Sequence, residues 1–130
     1  MADDGPPPAI HGYHAHIYFR DGDERARAMH LREALQRWPV ELGRIWDQNV
    51  GPHPVPMYQV AFKPQQFAEI VPFLILAREG LTILVHPETG DDVADHSSHA
   101  LWLGAVLPLD LEFLRKFARG EATVPPHPSG

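Results

Sequence analysis

Cysteine is absent from this chain of 130 residues, which excludes disulfide bonds and any thiolate nucleophile or metal ligand. Positive charge is scarce, because 11 Lys and Arg residues stand against 17 Asp and Glu residues, and a nucleic-acid-binding protein needs a basic surface. The sequence also lacks an apolar run of about 18 residues, the length that spans a membrane. Because it shows no secretory signal pattern either, we expect a cytoplasmic protein that binds neither nucleic acid nor membrane.

Histidine is abundant instead, with nine residues in the chain. The length suits one domain, and both ends are rich in Pro and offer little apolar surface to bury. We therefore predict a single folded domain at residues 10–120 between disordered tails at residues 1–9 and 121–130. His127 lies in the second tail, His30 lies on a predicted helix and is interpreted as structural or exposed, and His11 stays without a role.

The pattern of apolar residues predicts elements in the order β-α-β-β-α-β, followed by a further strand and helix. The first strand, at residues 13–19, alternates between an apolar face and a face that carries His14, His16 and Tyr18. The element order matches an α+β, ferredoxin-like βαββαβ sandwich with an added C-terminal strand and helix. Because the helices of such a fold cover one face of the sheet, we expect a homodimer in which a second subunit covers the other.

Some element boundaries are sharp predictions. The second strand is expected at residues 40–46 and the fourth at residues 81–85, with a polar loop at residues 86–98. Pro72 lies inside the predicted second helix, where it removes a hydrogen bond and is expected to kink or break the helix.

The spacing of His14 and His16 places both imidazoles on one face of the first strand, where they can bind one divalent metal ion. In the predicted topology the end of the fourth strand lies beside the start of the first, so His86 can reach the same face. Three convergent imidazoles form a site suited to iron, zinc or copper. The alternative interpretation is that His14 and His16 are ordinary surface residues and that His86 caps a turn.

His53 lies between prolines in a loop, and we assign it substrate binding or acid–base chemistry rather than metal ligation. In the simplest sheet it lies far from His86, so a folded-back loop or a partner subunit would have to bring it in. His96 and His99 are further candidates for proton transfer, since imidazole titrates near neutral pH. The alternatives are a simple turn residue at His53 and hydrogen bonding within the loop for the other two. A carboxylate after His86 could complete the metal site or orient a histidine, the candidates being Glu88, Asp91, Asp92 and Asp95.

Five short motifs follow one another in an order and spacing that cover about residues 12–111. They are YHAHIYF at residues 13–19, GPHP at 51–54, FxPxxF at 62–67, LVHPxTG at 84–90 and DHxxHAxWLG at 95–104. In these motifs the chain resembles the DOPA 4,5-dioxygenase family of small extradiol ring-cleaving enzymes, whose fold is ferredoxin-like.

The resemblance implies a metal-dependent insertion of O₂ into the ring of a catechol, DOPA-like or another ortho-diphenol, to give a muconic semialdehyde. It implies a divalent metal, normally Fe(II), with zinc or copper as alternatives in a purified sample. No carboxylate matches a metal ligand unambiguously, so we expect an all-histidine site. On this interpretation His14, His16 and His86 bind the metal, and His53 and His99 transfer protons. Tyr18 and His96 bind the substrate.

Two other functions stay open at this point. The first is a non-catalytic, dimeric module that binds a metal or another ligand on the same sheet, and a metal site with closed coordination would favour it. The second is a cofactor-free monooxygenase that acts on an aromatic substrate, and activity that survives strong chelation would favour it.

Overall fold

The computed structural model describes residues 9–124, and the chain forms five strands and four helices over this range. The strands are β1 (Tyr13–Tyr18), β2 (Glu41–Leu42), β3 (Met57–Phe62), β4 (Ile83–Pro87) and β5 (Leu101–Leu103). The helices are α1 (Asp23–Leu35), α2 (Phe67–Ala77), α3 (Asp92–Asp95) and α4 (Leu111–Ala118), and a 3₁₀ turn at Pro64–Gln66 leads into α2. None of these helices is long and apolar enough to cross a membrane. Most of the two predicted tails, with His127, lies outside the described residues.

β1 lies at the centre of an antiparallel sheet with the strand order β2-β3-β1-β4-β5. It pairs with β3, where Ile17 lies opposite Tyr58, and with β4, where His14 lies opposite His86. The first four strands have the order of a split βαβ unit, and β5 extends the sheet beyond β4. The α+β, ferredoxin-like fold with an added strand and helix is therefore confirmed.

The main core lies between one face of the sheet, which we call the helical face, and helices α1 and α2. Apolar residues of β1, β3 and β4 alternate onto this face and meet one stripe of each helix. The fully buried members include Ile17, Val60 and Ile83 from the sheet, Leu35 from α1 and Leu74 from α2. Each such aliphatic side chain stabilises the fold by about 1.5–3 kcal/mol through burial.

The opposite face carries His14, His16 and His86, and we call it the histidine face. A second, smaller apolar cluster packs on it, built from Trp46 and Leu84 among others. Because β1 supplies apolar residues to one face and histidines to the other, the sheet separates the stabilising core from the polar cluster.

The chain covers much of the histidine face with its own segments. Phe113 and Phe117 of α4 line the same cavity as the histidines, and the Asp110 backbone N–H donates to the Pro52 carbonyl at 2.9 Å. This contact joins the start of α4 to the loop before β3. The sequence predicted a second subunit over this face, and the homodimer stays a prediction.

Of the kink or break expected at Pro72, the break does not occur, since α2 continues through this residue to Ala77. Pro72 cannot donate a backbone hydrogen bond to the carbonyl of Ala68, four residues earlier. Both residues are exposed, so water can satisfy that carbonyl. Leu74 on the buried side holds the helix against the sheet.

Other predicted boundaries also need correction. β4 extends to Pro87, so His86 lies inside a strand. The predicted polar loop contains α3. Asp91 caps the first turn of α3, because its side chain accepts a hydrogen bond from the Ala94 N–H at 3.1 Å. The strand predicted at residues 40–46 is reduced to β2, because the regular ladder ends at Gly43, a residue that weakens strands. Pairing resumes beyond it only as an isolated bridge at Trp46.

Replacing Tyr58 by phenylalanine is expected to lower the free energy of unfolding by about 1 kcal/mol. The fully buried Tyr58 hydroxyl donates to the Ala28 carbonyl at 2.7 Å and so links β3 to α1. Urea unfolding measures the change. Tyr13→Phe is the matched control, since the Tyr13 hydroxyl has no hydrogen-bond partner among residues 9–124, and an equal loss in both variants would contradict the assignment.

Candidate metal centre and active site

Five histidines converge on the histidine face from separate parts of the chain. His14 and His16 project from β1 because alternate residues of a strand share a face, and His86 projects from the paired position of β4. His53 comes from the segment before β3, and His96 follows α3 directly. Imidazole is a common metal ligand, so a cluster of this kind is a candidate metal site.

The first group of possible metal ligands is formed by His14, His16 and His86. One ligand atom from each lies within 4.8 Å of the others. His16 Nε2 and His86 Nε2 are 3.1 Å apart, and the rings of His14 and His86 have centroids 5.2 Å apart. All three residues stand on two hydrogen-bonded strands, which makes their spacing rigid.

A second group shares one member with the first. His16, His53 and His96 also place one ligand atom each within 4.8 Å of the others. The ring centroids of His16 and His53 are 4.2 Å apart, and those of His86 and His96 are 4.1 Å apart. His16 therefore lies at the centre of the whole cluster.

The backbone fixes the tautomers of two of these rings. His86 Nδ1 lies 2.9 Å from the Pro87 carbonyl, and His96 Nδ1 lies 2.7 Å from the Asp92 carbonyl. A carbonyl oxygen only accepts, so each Nδ1 carries the proton and each Nε2 keeps a lone pair. Hydrogen bonding of this kind is what orients a metal-binding histidine.

Burial keeps several of these imidazoles uncharged. Burial, with the neighbouring imidazoles as a further cause, lowers the pKa of His16 well below its usual value and the pKa values of His53 and His86 to about 3. Burial is also the main cause that lowers the pKa of His14. At neutral pH these rings therefore present lone pairs, the form that binds a metal ion.

The donor set fits a divalent metal ion by a direct observation. His16 Nδ1 is buried and has no hydrogen-bond partner, while His16 Nε2 faces an Nε2 that already carries a lone pair. Whichever nitrogen holds the proton, one buried ring nitrogen stays unsatisfied, which costs about 1–3 kcal/mol. A metal ion on His16 would accept one lone pair and remove the conflict at Nε2.

His53 reaches the cluster because its loop folds back. The His53 N–H donates to the Val50 carbonyl at 3.0 Å, and His53 Nδ1 lies 2.7 Å from the Tyr18 hydroxyl. The distance expected between His53 and His86 in the simplest sheet is therefore wrong, since both line one cavity. Burial raises the pKa of Tyr18 far above its usual value, so the hydroxyl stays protonated and can donate to His53 Nδ1.

The histidines line two adjoining cavities of about 270 Å³ each. We call the two together the cleft and each cavity one of its openings. His16 and His53 border both. At one opening the Arg44 guanidinium lies 4.2 Å from the centre of the Trp46 ring. The volume suits a molecule with one aromatic ring, and the lining offers both apolar contacts and imidazoles.

The second opening carries carboxylates. Glu88 lies 3.5 Å from His14 Nε2 and 3.7 Å from His86 Nδ1. Burial, followed by the nearby charges of Asp92 and Asp95, raises the pKa of Glu88 to about 7. Of the carboxylates considered from the sequence, Glu88 is thus the one within 4 Å of the first histidine group, where it can help to orient His14.

The structure does not bring every predicted site residue into this cleft. It groups His14, His16, His53, His86, His96 and Tyr18. His99 instead turns to the helical face, where its Nδ1 lies 2.9 Å from Asp95 Oδ1. His99 therefore makes no contact in the cleft that would support its predicted role in proton transfer.

The sequence did not single out the apolar cover of the cleft. Phe113, Leu114 and Phe117 of α4 line it, together with Val124. The signal was present, because Asp110 caps a helix whose apolar residues recur at helical spacing.

We expect the metal-free protein to lose stability as the pH falls from 7 to 5. The unfolded chain binds a proton on His53 and His86 near pH 6.5, whereas the folded chain does so only near pH 3. Between these values the unfolded state holds more protons, so the free energy of unfolding decreases by about 2 kcal/mol for each such histidine. Urea unfolding at several pH values measures this slope, His53→Gln should make it shallower, and a flat profile would contradict it.

Comparisons with known proteins agree with the motifs. The sequence model of the Dopa 4,5-dioxygenase family matches residues 13–113. An uncharacterized 21.2 kDa protein of Botryotinia fuckeliana is 38% identical in an alignment 122 residues long that covers 85% of this chain and 67% of that protein. The DOPA 4,5-dioxygenase of Amanita muscaria is 35% identical in an alignment 111 residues long that covers 78% of this chain. This chain spans only 49% of the length of the Amanita enzyme.

A solved structure has the same fold. The crystal structure of a candidate dioxygenase from Nostoc punctiforme superposes with a TM-score of 0.80 at 57% sequence identity. The match covers 83% of this chain and 94% of that one.

Proposed function

The chain belongs to the Dopa 4,5-dioxygenase family, and we propose that it is a metal-dependent extradiol dioxygenase acting on a catechol. The reaction cleaves the ring next to the two hydroxyls and gives a muconic semialdehyde. Both atoms of O₂ enter the product, so no external reductant is needed. The observation that carries the proposal is the cluster of buried, uncharged imidazoles around a cleft of single-ring size.

His14, His16 and His86 would hold the metal, which we propose to be Fe(II). The rigid strand pair favours this group over the second one, whose other two members come from a loop and a helix end. When bound, Fe(II) supplies the redox chemistry that lets O₂ react with an aromatic ring.

His53 would accept a proton from a catechol hydroxyl. Its lowered pKa leaves the imidazole uncharged at neutral pH, and the hydrogen bond between Nδ1 and the Tyr18 hydroxyl sets the ring orientation. In the tautomer with the ring proton on Nδ1, that nitrogen donates to the Tyr18 oxygen, and Nε2 carries the lone pair that accepts the catechol proton. His96, whose Nε2 keeps a lone pair, would accept a hydrogen bond from the second hydroxyl.

The apolar side chains of α4 would exclude water from the bound ring. Phe113 and Phe117 lie over the cleft opposite the histidines, and aromatic side chains pack well against a catechol. A dry site strengthens the hydrogen bonds that the histidines make to the substrate.

Oxygen uptake under controlled metal loading tests the proposal. Metal-free protein is loaded anaerobically with Fe(II), mixed with DOPA or 4-methylcatechol, and then exposed to O₂. We expect uptake of one O₂ for each catechol and a yellow semialdehyde, with neither in zinc-loaded or metal-free protein. Equal activity after strong chelation would indicate a cofactor-free oxygenase. Tight metal binding without O₂ uptake for any diphenol would indicate a non-catalytic module.

A further inference from the structure

A second cavity, of about 390 Å³, lies on the helical face, so the sheet separates it from the histidine cleft. Phe67 from the start of α2, Val85 from β4 and Leu101 from β5 form apolar walls. Tyr13 also lines the cavity, and its ring centroid lies 4.7 Å from that of Phe67. A volume and lining of this kind suit one small aromatic molecule.

His99 gives this cavity a defined hydrogen-bonding group. Its Nδ1 lies 2.9 Å from Oδ1 of Asp95, a fully buried residue whose carboxylate also accepts from the Thr89 N–H at 2.8 Å and the Thr89 hydroxyl at 2.7 Å. A carboxylate with these donors stays ionised and accepts a hydrogen bond from the Nδ1–H group of His99. Because His99 lines the cavity and its Nδ1 is occupied by Asp95, Nε2 is the ring nitrogen that is left as an acceptor for a ligand.

A second polar group lines the same cavity. Within residues 9–124 the Tyr13 hydroxyl has no hydrogen-bond partner, although its ring is held between Phe62 and Phe67. A hydroxyl can donate to an oxygen of a ligand. The cavity therefore offers one acceptor and one donor beside aromatic and aliphatic walls.

We propose that this cavity binds a small phenol, separately from the catalytic cleft. The phenol hydroxyl would donate to His99 Nε2 and accept from the Tyr13 hydroxyl, while its ring packs on Phe67, Val85 and Leu101. A carboxylate ligand fits less well, because no Lys or Arg is among the described residues that line the cavity and the Asp95 charge lies behind His99. An apolar ring without a hydroxyl would leave both polar groups unpaired.

Fluorine NMR of metal-loaded protein tests the proposal with 4-fluorophenol, and with fluorobenzene and 4-fluorobenzoate as matched probes. A monophenol is not a diphenol substrate, so turnover does not consume it. We expect 4-fluorophenol to bind about 3-fold to 10-fold more tightly than either control, which is the range expected for one or two net hydrogen bonds. Equal affinities of all three probes, or no binding of 4-fluorophenol, would overturn the proposal.

Variants locate the bound probe. Leu101→Trp and, independently, Ile10→Trp fill the cavity from two sides and should abolish binding, and His99→Gln should weaken it by about 3-fold to 10-fold. His16→Ala alters only the histidine cleft and should leave this binding intact. Binding that survives both tryptophan variants but is lost in His16→Ala would assign the probe to the cleft and overturn the proposal. A dimer that becomes a monomer in the tryptophan variants, seen by sedimentation, would make the cavity a subunit interface and also overturn it.

Discussion

Replacing His86 by alanine is expected to remove stoichiometric Fe(II) and to lower kcat/KM for ring cleavage by at least about 10³-fold, or roughly 4 kcal/mol. His86 is 1% exposed, lies opposite His14 in the sheet and places its Nε2 3.1 Å from His16 Nε2. Its Nδ1 proton is held by the Pro87 carbonyl, so Nε2 is committed as an acceptor. Removing the His86 ring deprives the metal of one of its three proposed ligands. That ligand is also the one whose tautomer is best defined.

Metal analysis, steady-state kinetics and urea unfolding of the same preparation measure this effect. His30→Ala is the matched control, because His30 is an exposed histidine of α1 far from the histidine face, and it should keep both metal and activity. A His86→Ala protein that is folded and still binds one equivalent of Fe(II) would refute the assignment of His86 as a ligand.

The two histidine groups can be separated because they share only His16. His16→Ala should lose the metal in either case. If the first group is the ligand set, His14→Ala loses metal affinity and His96→Ala keeps it. The reverse result would move the metal to His16, His53 and His96 and would make His14 a partner of Glu88 alone.

The part of the site that follows strand geometry could be predicted from the sequence. Period-two alternation places His14 and His16 on one face of β1, and the split βαβ order places His86 beside them. These relations depend on short-range periodicity and on a common topology. The strand boundary at Val85 was wrong by two residues, but the phase of alternation was not, so His86 still points to the histidine face.

The positions of the loop histidines could not be predicted, because a contact distant in sequence decides that of His53, and the end of a short helix decides those of His96 and His99. His53 is held in the cleft by a hydrogen bond with the Tyr18 hydroxyl, a residue 35 positions away in the chain. The local sequence pattern around His53 cannot indicate such a contact. His96 and His99 are three residues apart, but α3 ends at Asp95, so the two rings leave in different directions. His96 bonds back to the Asp92 carbonyl, while His99 follows the Asp95 carboxylate to the helical face.

Replacing His53 by glutamine is expected to lower kcat by about 10²-fold to 10⁴-fold while leaving Fe(II) bound, as loss of a general base does. His53 contacts the proposed ligand His16, with ring centroids 4.2 Å apart, but the Tyr18 hydroxyl occupies its Nδ1. Glutamine keeps a polar side chain that can still bond to Tyr18, yet it cannot take a proton from a catechol. Metal analysis and single-turnover kinetics on the same sample separate ligation from proton transfer.

Tyr18→Phe supplies the companion test, because Tyr18 acts through His53 rather than on the substrate. Its loss should reduce kcat less than the His53 change does, and the double variant should be no slower than His53→Gln alone, since residues that act as one unit are not additive. Fully additive effects would show that the two side chains act independently. Loss of Fe(II) from His53→Gln would instead make His53 a ligand, and the proton would then have to be accepted elsewhere in the cleft, where His96 keeps a lone pair on Nε2.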